Sequence, residues 1–197
     1  MTDFWIFFKF GLEHVLDLNG YDHLLFLVVL TVPYTGKDWK RILLLVSLFT
    51  LGHTLSLFLA VLNIVRVQPT LIEFLIPITI LLTALYNLAT AGKSKPKENL
   101  TFIGGITLFF GLIHGLGFSN YFKDLLPGEA PDKMLPMLAF ALGIEAAQLI
   151  IVLVVLLLSF VFLTLFRFSK REFILVFSAI VLGIILPLLA QNPIWEP

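Results

Sequence analysis

Apolar residues run through this chain in long blocks rather than in alternation. Stretches with almost no charge cover 42–62, 71–91, 101–119, 134–163 and 173–190. Each has 18 residues or more, enough to cross a hydrocarbon core about 30 Å thick as a helix. Within them the only formally charged side chains are Glu73 and Glu145. A further apolar run, 21–34, has 14 residues, a length that suits a re-entrant or bundle-buried segment unless its neighbours extend it. Ahead of it, 4–18 is rich in aromatics yet carries Lys9, Glu13, His14 and Asp17, and it stops at an Asn19-Gly20 turn signal. With no basic leader and no small-residue cleavage site, this stretch reads as part of the fold. The pattern predicts one all-α domain over 1–197, a polytopic transmembrane helical bundle. It has six spans with an N-terminal amphipathic helix, or seven if 4–18 also crosses.

Composition narrows the classes. Hydrophobic residues make up 59% of the 197, charged ones 13%, and the mean hydropathy is +1.01. In water such a chain would expose larger contiguous apolar patches than soluble proteins tolerate, so the lipid bilayer is its expected solvent. Thirteen basic residues balance thirteen acidic ones, leaving no positive field to hold a phosphate backbone, and nucleic acid is not an expected partner. The absence of cysteine removes disulfides, thiolate ligands and cysteine nucleophiles.

The connections set an orientation. Segments 35–41, 92–100 and 164–172 carry three basic residues each, 63–70 one, 120–133 two against three acids, and the C-terminal tail none. By the positive-inside rule the three-charge connections face the cytoplasm, so the C-terminus lies outside. The N-terminus lies outside too if 21–34 crosses, and inside if 4–18 also does.

All four histidines, His14, His23, His53 and His114, fall in or beside these spans. With that orientation Asp22, His23, His53, His114 and Glu145 lie at one depth, in the outer half of the membrane, with His14 just before them. A carboxylate at the bilayer centre costs about 2.5 to 3.5 kcal/mol on insertion scales, so Glu145 should face the interior and have a partner. Gln148 shares its face, and Thr50 and Ser56 flank His53 on an inward polar stripe. Gly111, Gly115 and Gly117 around His114 allow close helix contact. Taken singly, each histidine reads as an interhelical hydrogen bond and Asp22 as a first-turn carboxylate. Together they predict one shared polar site.

Neutral imidazole with carboxylate, and no thiolate, suits nickel, cobalt, zinc, ferrous iron or copper(II), whereas magnesium prefers an oxygen-rich site. The expected ligands are His14, Asp22, His23, His53, His114 and Glu145. Three uses stay open: ion permeation, an intramembrane metal-dependent hydrolase with Asp22 or Glu145 as base, and a metal-free assembly protein held by a histidine network.

Four segments resemble the HupE/UreJ family of bacterial membrane proteins. They are Gly11-Leu-Glu-His14 through Gly20-Tyr-Asp22-His23-Leu-Leu-Phe26, Phe49-Thr-Leu-Gly-His53-Thr-Leu-Ser56, Phe110-Gly-Leu-Ile-His114-Gly-Leu-Gly-Phe118 and Phe140-Ala-Leu-Gly-Ile-Glu145-Ala-Ala-Gln148. The resemblance implies a six- or seven-helix inner-membrane protein associated with nickel or cobalt uptake. It implies metal binding by His14, Asp22, His23, His53, His114 and Glu145. Seven residues separate His14 from Asp22-His23, more than in the His-x4-Asp-His signature of nickel/cobalt permeases. Oligomeric state and a metal-delivery partner are not read from the sequence.

Overall fold

The computed structural model describes residues 2–17, 20–93, 99–125 and 130–195. Among these residues there are seven helices and no strand: α1 (Thr2–Leu16), α2 (Asp22–Thr31), α3 (Trp39–Val61), α4 (Pro69–Thr90), α5 (Leu100–Leu125), α6 (Ala130–Thr164) and α7 (Lys170–Ala190). Helices α3 to α7 contain the five stretches long and apolar enough to cross a membrane. They coincide with the five apolar blocks of the sequence to within a few residues, except that α5 runs on to Leu125. Leu82, Phe109, Leu153, Phe160 and Ile180 lie exposed on the outer faces, as lipid permits and water would not. Trp5, Trp39 and Trp195 are exposed as well, the placement expected of an interfacial belt.

Local chemistry fixes the helix starts. Pro69 opens α4 after an extended Gln68, because its missing N–H would have no partner there anyway. At α7 the Glu172 N–H donates to Ser169 Oγ (3.2 Å) and the Ser169 N–H to Glu172 Oε2 (2.7 Å). Ser169→Ala should therefore cost about 1 kcal/mol. A thermal melt of the detergent-solubilised protein reads this, and an unchanged melt would show that the cap is not holding α7.

The two N-terminal segments, separate in the sequence reading, stack end to end. At 15 and 10 residues, neither α1 nor α2 alone covers about 30 Å at 1.5 Å per residue. Phe7 of α1 packs on Phe122 near the far end of α5 (ring centroids 6.3 Å apart), and His14, two turns on, packs on Phe118 (4.0 Å). Helix α1 thus runs antiparallel to α5, from that end of the bundle towards its middle. Helix α2 continues from there to the opposite end, where Asn87 near the end of α4 donates to the Val29 carbonyl (2.7 Å). Together they run from one end of the bundle to the other, with a break in its middle. Helix α2 is buried, with His23, Phe26, Leu27 and Val29 all in the core.

The bundle also contains a repeat. Phe10-Gly-Leu-Glu-His14 on α1 matches Phe110-Gly-Leu-Ile-His114 on α5, and Phe49-Thr-Leu-Gly52 on α3 matches Phe140-Ala-Leu-Gly143 on α6. The contacts match as well. A methyl group on Gly11 would strike the Phe140 carbonyl oxygen, and one on Gly111 the equivalent Phe49 oxygen. Likewise Gly143 faces the Phe8 oxygen as Gly52 faces that of Leu108. The His14 and Phe140 rings stand 5.8 Å apart, and their counterparts His114 and Phe49 stand 5.0 Å apart. So α1 pairs with α6 as α5 pairs with α3, each close pair joining a helix of one half (α1–α4) to a helix of the other (α5–α7). Because α1 is antiparallel to its counterpart α5, the two copies point in opposite directions. Helices α4 and α7, the last of each half, pack on each other.

Candidate metal centre

Four helices deliver one histidine each to the middle of the bundle. His14 comes from the last turn of α1, His23 from the first turn of α2, His53 from α3 and His114 from α5. One ring nitrogen from each of His14, His23 and His53 lies within 4.8 Å of the others. Nitrogens around a single ion at about 2.1 Å sit about 3.4 Å apart, so rotation of the rings by roughly an ångström would close the set. His114 approaches His23 from the α5 side, with ring centroids 5.4 Å apart.

The hydrogen bonds decide which nitrogens are available. His114 Nδ1 lies 2.9 Å from the Phe110 carbonyl, which can only accept, so Nδ1 carries the proton and Nε2 keeps a lone pair. His23 Nδ1 lies 3.1 Å from Asp22 Oδ1, the carboxylate–imidazole arrangement that orients metal-binding histidines. Among the described residues, Nε2 of all four histidines and Nδ1 of His53 are buried with no hydrogen-bond partner. Burying an imidazole nitrogen unpaired costs roughly 1 to 3 kcal/mol, and several converging on one point make a donor set suited to a borderline divalent cation.

The surroundings are aromatic and crowded. Phe49 and Phe26 lie 5.0 and 5.3 Å from the His114 ring, and Phe118 and Phe140 stack on each other beside His14. Close packing at Gly52, Gly111 and Gly115 brings the α3 and α5 backbones together, which sets His53 and His114 side by side. The positive pole of α2 is met by Asp22, whose Oδ1 also accepts the His23 N–H (2.9 Å).

The carboxylates take other positions. Asp22, placed among the ligands by sequence, stands behind His23 as its acceptor. Glu145, also placed there, is not part of the histidine group; its Oε1 accepts a 2.6 Å bond from Ser47 at a partly exposed seam between α3 and α6. One turn on, Thr50 donates to Gln148 Oε1 (2.9 Å), so the inward polar stripe on α3 is present and continues across to α6. Ser56 donates to the His53 carbonyl (3.1 Å). The phenylalanine shell and Ser47 were not anticipated from sequence, because nothing in a uniformly apolar stretch marks which residues face the site. The repeated Phe-Gly-Leu-x-His string could have linked α1 to α5 in advance.

No curated protein and no solved structure matches this chain. The HupE / UreJ protein family matches it over residues 1–191, nearly its whole length, and the span includes every histidine of the cluster. The chain accordingly belongs to the HupE/UreJ family of membrane proteins.

Proposed function

We propose that this protein is an inner-membrane permease for a divalent transition-metal ion, nickel or cobalt in keeping with its family, carried towards the cytoplasm. The observation that carries the reading is the convergence of three buried imidazoles, His23, His53 and His114, and the half-buried His14, all with unpartnered nitrogens among the described residues, on the seam between two oppositely directed repeats. Inverted repeats with an interrupted helix at the substrate site are a recurrent plan of secondary transporters. In this reading His14, His23, His53 and His114 hold the ion and Asp22 orients His23. Their softness and neutrality suit binding strong enough to strip water and weak enough to release. The repeats supply a route for release: rocking the α1–α6 pair, which carries His14, against the α3–α5 pair, which carries His53 and His114, would loosen the ligand set and open it to one face and then the other.

Equilibrium binding to the purified, chelator-treated protein tests the site. About one nickel or cobalt ion per chain is expected, and no stoichiometric uptake of either would overturn the assignment. Asp22→Asn should keep the histidine set but weaken affinity by roughly 10- to 100-fold, the usual cost of losing an orienting partner. Titration with unchanged affinity would mean Asp22 serves only the start of α2.

A further inference from the structure

The end of the bundle opposite Phe122 contains a second feature, distinct from the histidine cluster and independent of the permease reading. A cavity of about 470 Å³ opens between α2, α4, α5 and α7, lined by Lys93, Lys170 and Arg171 and by Tyr34, Asn87 and Thr90. Among the described residues its lining contains three basic side chains and no acidic one. Arg41 lies over the Tyr34 ring on the same wall, 5.3 Å from its centroid, so the third basic connection reaches this place as well. These are the connections that the charge count assigns to the cytoplasmic surface.

The cavity is basic at one side only. Val29, Leu30, Ile103 and Ile174 give the opposite wall its apolar character. Through Leu30, Thr83, Tyr86 and Ile103 it adjoins a second cavity of about 300 Å³ whose remaining lining is Phe26, Leu82, Phe102, Ile106, Thr107 and Phe110. A cationic compartment at headgroup level is thus joined to an apolar slot directed into the membrane core. A free phosphate or a soluble anion would use only the first compartment, and a simple hydrocarbon only the second.

We propose that this composite cavity binds an anionic phospholipid, its phosphate among Lys93, Lys170 and Arg171 and part of one acyl chain in the slot between α4 and α5. Basic recesses between membrane helices on the cytoplasmic side recognise anionic headgroups in this way, and each cation near the surface adds attraction that a zwitterionic headgroup cannot match. The slot is too small for a whole diacyl lipid. It takes the first part of one chain, leaving the rest against the exposed faces of Phe102 and Phe109.

Native mass spectrometry of the delipidated, detergent-solubilised protein tests this, with phosphatidylglycerol, phosphatidylcholine or inorganic phosphate added in turn. Phosphatidylglycerol should bind at least tenfold more tightly than phosphatidylcholine. The double variant Lys93→Gln with Arg171→Gln should abolish that preference while leaving the melting temperature unchanged. Ile103→Trp, which fills the slot, should weaken both lipids together. Equal binding of the two lipids, or a preference that survives the double variant, would overturn the proposal. Inorganic phosphate binding as tightly as phosphatidylglycerol would overturn it in favour of a soluble anion. Metal binding at the histidines is a separate readout, so loss of one does not register as loss of the other.

Discussion

Proteoliposomes carrying His53→Ala should take up nickel or cobalt at background rate, while the variant protein is made and folds at wild-type level. His53 is fully buried, and neither of its ring nitrogens has a partner among the described residues, so truncation removes a donor without breaking a hydrogen bond. Its ring completes a triangle with those of His14 and His23, with centroids 5.8 and 5.5 Å away, and its loss breaks the one group of three nitrogens that lie within 4.8 Å of one another among the described residues. Losing a partner that merely orients a ligand costs 10- to 100-fold in affinity, so losing a central ligand should cost roughly 100-fold or more. A dye trapped in the vesicles measures uptake, and calorimetry on the same protein measures binding. Full uptake by this variant would remove His53 from the pathway. Wild-type affinity with no uptake would assign it to movement rather than binding.

Alanine at Gly11, Gly52, Gly111 or Gly143 should prevent assembly, and the four should fail to similar degrees. At each, the added methyl meets a backbone carbonyl oxygen of the partner helix, which cannot swing aside as a side chain end could. Overpacking costs typically 1 to 3 kcal/mol, and a collision of two helix backbones belongs at roughly 3 kcal/mol or above. Gly105 and Gly183 lie on the same kinds of helix, but a methyl there meets nothing within 4 Å, so alanine at either should leave the melt unchanged. Size-exclusion profiles and thermal melts in detergent separate the two groups. If Gly11 and Gly143 tolerated alanine while Gly52 and Gly111 did not, the two close pairs would not be equivalent in strength, and rocking one against the other would lose its symmetric basis.

Both results turn on features that are visible to different degrees in the sequence. The five long crossings are legible because an uncharged helix of more than 18 residues has one good solvent, and length with hydropathy is enough to say so. The stripe of Thr50, His53 and Ser56 is legible because a membrane helix buries polar groups against its neighbours. The N-terminal third is less so. Residues 4–18 carry charges that suggest an amphipathic or partly inserted helix, and only the structure shows which face is covered, by α6 through Gly11 and Gly143. A sequence pattern records how polar a helix is, not that another helix will replace lipid on one of its sides. The carboxylates were harder still: Glu145 needs a partner at that depth, but whether the partner is an ion or Ser47 depends on how α3 and α6 cross.

The order of the chain determined by itself that this is a multi-pass helical protein, that its histidines fall in or beside the apolar stretches, and that no thiolate is present to act as a ligand. Its repeated Phe-Gly-Leu-x-His and Phe-x-Leu-Gly strings also fixed where backbones can touch, since only glycine lets two helices approach that closely. Tertiary structure alone decided which helices touch: α1 meets α6 and α3 meets α5, so the halves interlock instead of folding side by side. That choice gathers His14, His23, His53 and His114 while leaving Asp22 behind one of them and Glu145 outside. Distance between side chains 100 residues apart is set by the crossing of helices, a property of the packed bundle that no local stretch of sequence contains.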